Sequence, residues 1–415
     1  MKRIFIFSYH GKETFQTSYY RLLSLSEHLS ENAEVYFIHG TTEKEVKQIK
    51  VKGNFIEIPL NYAHGFFQKT YKSLLRNGKN SIAKILLIFY YFFTGKEIFD
   101  LGKEFQNYIK KTNLTLSPSD IVVVSFPSIA IHNLGFLLKQ KYGCKLVLDY
   151  RDPGVFGYQL LAENKIISLL RKTFLKKREI RNLKNADLVI AISDSIKALF
   201  PVEFQEQIAV IRNGFISHKA NLDLITHNPY TFILLYLGTI YSPQLKDQTF
   251  FKALRIFIDR NNILPQHFQL KFLGSEGCEG LREIIKQFNL DPYTQITPRM
   301  PIELAYTELY NASMFLQLKF GKRKEIITSK QYEYLAFQKP ILLPLSDHGD
   351  LDQSITDYKA GYICNSLDEI VDVLEKQYKN HFDHQPELIS RTEEELYQLS
   401  RRSQQDKLFK LIEKL

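Results

Sequence analysis

The sequence contains no tryptophan and three cysteines, Cys144, Cys278 and Cys364. Thiols so few and so far apart build neither a disulfide framework nor a zinc knuckle. They suit a reducing compartment, and the cytoplasm is the expected location. A long apolar run is also missing. The longest, residues 82–95 (IAKILLIFYYFFTG), is interrupted by Lys84 and falls short of the roughly 20 residues needed to span a bilayer. The opening MKRIFIFSYHGK has a basic start and too short an apolar run for a leader peptide; its alternation suits a strand. No G-x-G-x-x-G follows that strand, which speaks against a dinucleotide oxidoreductase. No GxxxxGK[ST] stands anywhere for a phosphate-binding NTPase loop. None of the eleven histidines has metal-ligand spacing.

What is present is a globular composition, 44% hydrophobic and 24% charged, in 415 residues, more than one ordinary core holds. Net charge is +10, so nucleic acid, anionic lipid and phosphorylated small molecules are the candidate partners. Short apolar runs at 3–9, 34–40, 55–60, 120–127, 145–150 and 187–193 alternate with helical patterns at 17–31, 128–141 and 158–184. The pattern restarts with strands at 231–238, 268–274, 313–319, 340–344 and 360–364. Their helices are expected near 245–259, 279–289, 301–311, 328–337 and 366–378. Continuous apolar strands alternating with helices imply parallel sheets covered on both faces. The expectation is an α/β chain of two Rossmann-like, doubly wound domains facing a cleft. They would cover 1–200 and 201–385, and a helical segment at 386–415 would pack back on the first. Ligands in such sheets bind outside the carboxyl ends of the strands.

Residues 324–344 (KEIITSKQYEYLAFQKPILLP) concentrate charge before an apolar strand. Thr328 with Gln331 matches a capping box, so a helix should begin near Thr328. Its first turn would offer unpaired N–H groups to a phosphate, and Lys330 a point charge. Glu325 before the helix and Glu333 inside it could accept hydrogen bonds from sugar hydroxyls. The plainer reading has Glu333 complementing the helix dipole and Lys330 in water.

The Glu-x7-Glu pattern ending in YEYLAFQKPIL resembles the donor-sugar motif of retaining glycosyltransferases with the GT-B fold, family 4 and its relatives. Other stretches agree in order: Leu146 to Pro153, Ala186 to Ser193, Val210 to Phe215, Leu235 to Thr239 and Lys271 to Gly274. The resemblance implies that Glu333 binds the donor ribose and Glu325 the donor sugar. It implies that Gly238 and Thr239 bring backbone close to the diphosphate, and that Gly274 with Arg299 lies beside the base. Arg151 and Asp152 fall near the reaction centre with Glu325, and His10, Gly11, Lys12 and Arg21 on the acceptor side. The chain departs from the family where an arginine is usual, at Thr239. The usual Lys-Gly pair is at best Lys246-Asp247, and the amino-terminal Gly-Gly loop is reduced to His10-Gly11-Lys12. Lys330, Lys246 and Arg212 are therefore alternative partners for the diphosphate. The implied partners are a nucleotide-diphosphate sugar and a saccharide acceptor, with no resident cofactor and no metal. Asp350-Leu351-Asp352 spells DxD but reads as acidic residues in a first helical turn.

Two segments, 165–184 and 69–96, mix cations with large apolar residues. In both, an ordinary domain helix competes with a helix lying in a lipid headgroup layer. The second possibility implies a lipid-linked saccharide acceptor and an anionic membrane surface, the inner face of the cell membrane. The rival functions are a GT-B nucleotide-sugar 2-epimerase, which would consume donor without acceptor, and a non-catalytic binding protein, indifferent to loss of Glu325 and Glu333. Nucleic acid is not an expected partner, because the cationic segments contain no reader motif.

Overall fold

The structure is a computed structural model. It describes residues 2–8, 11, 17–41, 49–61, 66–94, 102–112, 114–125, 129–157, 165–216 and 228–415. The chain divides into two compact units, residues 1–211 with 405–415, and residues 212–404.

The first unit runs β1 (Arg3–Ser8), α1 (Thr17–Leu29), β2 (Glu34–Thr41), β3 (Lys50–Lys52), β4 (Phe55–Asn61), α2 (Phe66–Arg76), α3 (Asn80–Thr94) and α4 (Gly102–Lys111). It continues β5 (Ile121–Ser125), α5 (Ile129–Tyr142), β6 (Lys145–Tyr150), α6 (Lys165–Asn185), β7 (Leu188–Ala191), α7 (Asp194–Ala198), α8 (Val202–Gln205) and β8 (Ile208–Val210). Among the described residues its sheet has the order β3-β4-β2-β1-β5-β6-β7-β8. Every pairing is parallel except β3 with β4. Strand β5 (IVVVS) is buried along its whole length, as a parallel strand covered on both faces must be. At the edge, β3 reads KVK and is fully exposed; its lysines discourage further strand pairing.

The second unit runs β9 (Phe232–Leu237), α9 (Thr249–Arg260), β10 (Phe268–Leu273), α10 (Glu279–Gln287), β11 (Thr294–Thr297), α11 (Ile302–Asn311), β12 (Met314–Leu316), α12 (Ser329–Ala336), β13 (Ile341–Leu343), α13 (Asp350–Asp357), β14 (Gly361–Ile363), α14 (Leu367–Phe382) and α15 (Glu393–Leu399). Its sheet is parallel throughout, in the order β11-β10-β9-β12-β13-β14. From β9 the chain builds outward to β10 and β11, then returns to the other side of β9 with β12. The strand order therefore reverses between β9 and β12, where the loops leaving the two carboxyl ends part.

The last helix, α16 (Arg401–Ile412), begins in the second unit and ends in the first, where Leu408 and Ile412 join the core around β1, β2 and β5. The helical segment expected over 386–415 is instead two helices. Ser400 between them is extended and forms a bridge with Phe215. The first unit extends beyond the expected junction near residue 200, because β8 adds one more strand to its sheet. Strands β3 (KVK) and β11 (TQIT) lack the apolar run that marked the others, and β8 (IAV) is only three residues long. Residues 158–164, counted in the expected helix over 158–184, lie outside the described residues; α6 starts at Lys165.

Candidate nucleotide-sugar site

Two glycines end adjacent strands. Gly238, after β9, has φ +97°, and Gly274, after β10, has φ +85°. Both angles favour residues without a Cβ. A Cβ on Gly274 would stand 3.6 Å from the Cα of Gly238, so the two turns lie against each other. A Cβ on Gly238 would meet nothing within 4 Å. Its backbone thus borders open space at the place where the strand order reverses. The turns are tied together: Gly238 N–H donates to the Leu273 carbonyl at 2.7 Å, and the Ser275 hydroxyl donates to the Gly238 carbonyl at 2.6 Å. Arg299, exposed, donates through Nη2 to Thr239 Oγ1 at 2.9 Å. Gly238, Thr239, Gly274 and Arg299 thus form one group.

The loop leaving β12 joins them through Gln244. Its Nε2 donates to the Leu318 carbonyl at 3.0 Å and to the Tyr236 hydroxyl oxygen at 3.1 Å, and its Oε1 accepts from Tyr241 N–H at 3.1 Å. The Tyr236 hydroxyl donates to the Thr239 carbonyl at 3.3 Å.

Helix α12 is fixed to the same strand end. Leu237 N–H donates to the Tyr334 hydroxyl at 2.7 Å, and the Tyr334 ring stacks on Phe315 of β12 with centroids 4.5 Å apart. The Lys330 ammonium in the first turn lies 3.6 Å from the centre of the Tyr236 ring. Among the described residues it has no carboxylate partner. Burial without a counter-ion pushes its pKa well below the ordinary lysine value. An arriving anion would reverse that. Thr328 is the N-cap, but its side chain makes no capping bond, so the expected capping box does not form. Gln331 is buried instead, accepting from Gln317 Nε2 at 2.9 Å and donating to Ser354 Oγ at 2.8 Å. Tertiary partners have displaced the local one.

The two glutamates differ in environment. Glu325 accepts from Arg323 Nε at 2.6 Å and from Lys324 N–H at 3.1 Å. Its loop is held to the start of α13, where Asp350 N–H donates to the Lys324 carbonyl at 2.8 Å. Glu333 is buried, 5% exposed, and accepts from the Tyr306 hydroxyl at 2.7 Å. Burial pushes its pKa up to about 7, against the lowering influence of Tyr306, Arg401 and the Ile216 amide. Tyr306, Arg401 and Ile216 carried no mark in the sequence. They reach Glu333 from α11, α16 and the chain after β8, segments distant along the chain. Asp350 and Asp352 lie in the first turn of α13, where the Asp347 carboxylate accepts from the amides of Gly349, Leu351 and Asp352.

Lys246 is exposed. Arg212 is exposed as well, its N–H donating to Gln404 Oε1 at 3.1 Å. The remaining residues singled out in the sequence belong to the first unit. Arg21 is buried and forms an ion pair with Asp149, which also accepts from the Ser125 hydroxyl at 2.8 Å. Arg151 is half-buried, and its charge helps lower the Asp149 pKa. Asp152 follows at the end of β6, half-buried, and Gly11 is buried. His10 and Lys12 lie outside the described residues.

No sequence family and no curated protein matches this chain. Solved structures do, over its whole length. Sucrose-phosphate synthase from Thermosynechococcus elongatus aligns over 99% of this chain and 96% of its own, with TM-score 0.63 at 16% identity. An α,α-trehalose-phosphate synthase (UDP-forming) from Burkholderia vietnamiensis covers 100% of both chains, with TM-score 0.63 at 9% identity. HepE from Anabaena, in complex with UDP, covers 100% of both, with TM-score 0.60 at 11% identity. The chain has the GT-B fold. Among the described residues no helix of this GT-B chain is long and apolar enough to cross a membrane.

Proposed function

We propose that the protein is a glycosyltransferase that takes a sugar from a nucleotide-diphosphate donor held by its second unit. The observation that carries this reading is the open backbone of Gly238 at the strand-order reversal, beside the first turn of α12, whose Lys330 has no carboxylate partner among the described residues. Amides, a helix dipole and a half-buried lysine suit a diphosphate, both bound and leaving. We assign the diphosphate to Lys330 in preference to the exposed Lys246 and Arg212. Glu333 would hold the ribose and Glu325 the sugar, with Gly274 and Arg299 beside the base. The structural neighbours that form or bind UDP support a nucleoside diphosphate as ligand.

Transfer with retention, as in family 4, needs no protein nucleophile: the acceptor hydroxyl attacks on the face from which the diphosphate leaves. We assign the acceptor to the first unit, with Arg151 and Asp152 near the reacting groups, and take it to be a lipid-linked saccharide at the inner membrane face. No metal is assigned to the donor.

Thermal-shift screening against a panel of nucleoside diphosphates tests the donor assignment. One base should raise the melting temperature selectively, and the matching nucleotide-sugar should then glycosylate a saccharide acceptor. Absence of any shift across the panel would defeat the reading.

A further inference from the structure

Helices α2 and α3 pair through Phe67 and Tyr90, whose rings lie 5.2 Å apart, and otherwise bury little. Among their described side chains only Ala83 is buried. Large apolar groups point outward instead: Phe66 is 77% exposed, Ile85 52% and Ile82 51%, with Phe67 and Leu75 also exposed. Isolated exposed apolar residues are ordinary, but a cluster on one helical pair is not. The charge on this pair has a single sign. Residues 66–94 contain Lys69, Lys72, Arg76, Lys79 and Lys84, and no aspartate or glutamate. The acid-free run extends from Ile58 to Lys96 and is longer than the next one, Ile121 to Leu148.

A protein partner would be an odd match, since lysine is depleted from protein interfaces. An anionic bilayer meets both features. Aromatic and aliphatic groups enter the boundary between headgroups and acyl chains, while lysine stems reach back to the phosphates. We infer that the α2–α3 pair is a docking surface for an anionic lipid bilayer, lying in the interface and not crossing it. The inference rests on the proposed transferase only for the acceptor's lipid anchor; the membrane contact itself requires no sugar transfer.

Flotation of the full chain with phosphatidylglycerol-containing vesicles at low salt tests it. The protein should float with these vesicles, remain at the bottom with phosphatidylcholine vesicles, and detach as salt rises. Replacing Lys69, Arg76, Lys79 and Lys84 by Gln should cut partitioning about fivefold per cation. The Phe66→Ser, Ile82→Ser, Ile85→Ser triple variant should cut it by about tenfold or more. These side chains are exposed, so melting temperatures should stay at the wild-type value. No flotation, or equal flotation on neutral vesicles, would overturn the inference. So would variants that dissociate a dimer in sedimentation while leaving vesicle binding unchanged. Nucleotide binding by the same variants without vesicles separates the two readings. Flotation without any nucleotide binding would refute the transferase and leave the surface standing.

Discussion

Glu333 holds a carboxyl in surroundings that disfavour its charge, and that has a measurable sign. Its pKa in the folded protein is about 7, above the ordinary 4.5, so the fold binds this proton more tightly than the unfolded chain does. Ionising it costs stability. The cost is absent below about pH 4.5, grows as pH rises toward about 7, and is fully present above that. Glu333→Gln, which can still accept from Tyr306, should therefore raise stability by about 1–3 kcal/mol near pH 8 and leave it unchanged near pH 4. Denaturant titrations at the two pH values read this directly. Lys330→Ala should weaken nucleoside diphosphate binding about 10- to 100-fold, the loss of one charge-assisted hydrogen bond. Lys246→Ala should weaken it less, which calorimetry distinguishes. Glu325, Lys330 and Glu333 could be singled out as candidates in the sequence because they cluster in one short stretch with a familiar spacing. Tyr306 and Arg401 were not, because only the folded chain brings them to Glu333.

Among the elements, the strand ends do most to shape the candidate site. The glycine-ended strand β9 could be read from a continuous apolar run (FILLYL) that stops at Gly238, and β10 from an alternating run (FQLKFL) that stops at Gly274. The position of α12 could be read too, but its cap could not. Gln331 matched a local motif and is occupied by Gln317 and Ser354, contacts that no local rule foresees. The register of α12 on β9 depends on the Tyr334 hydroxyl. Tyr334→Phe leaves the Leu237 amide without its partner and should cost about 1–3 kcal/mol of stability. It should also loosen nucleotide binding, because Lys330 moves with the helix. Gly238→Val places a branched side chain in the space proposed for the diphosphate, at a φ that such residues avoid. Nucleotide affinity should fall sharply, as read by titration.

For the whole molecule, the two parallel sheets followed from the rhythm of strand and helix, and their boundaries did not. Strand β8 is three residues long and joins the first sheet, so the first unit runs on to Ile211. The chain's last residues return to that unit, where Leu408 is 1% exposed. Leu408→Ala should cost about 2–5 kcal/mol, the usual range for opening a cavity in a core. Deleting residues 405–415 should destabilise the first unit more than the second, a difference that hydrogen exchange resolves element by element. The central claim is that the strand ends of the second unit and the first turn of α12 hold a diphosphate. Calorimetric titration with the nucleoside diphosphate that shifts the melting temperature, on wild type, Lys330→Ala and Glu333→Ala, tests it most directly. The prediction is one ligand per chain, with affinity falling about tenfold or more in each variant. Equal affinity in all three proteins, or no binding to the wild type, would contradict it.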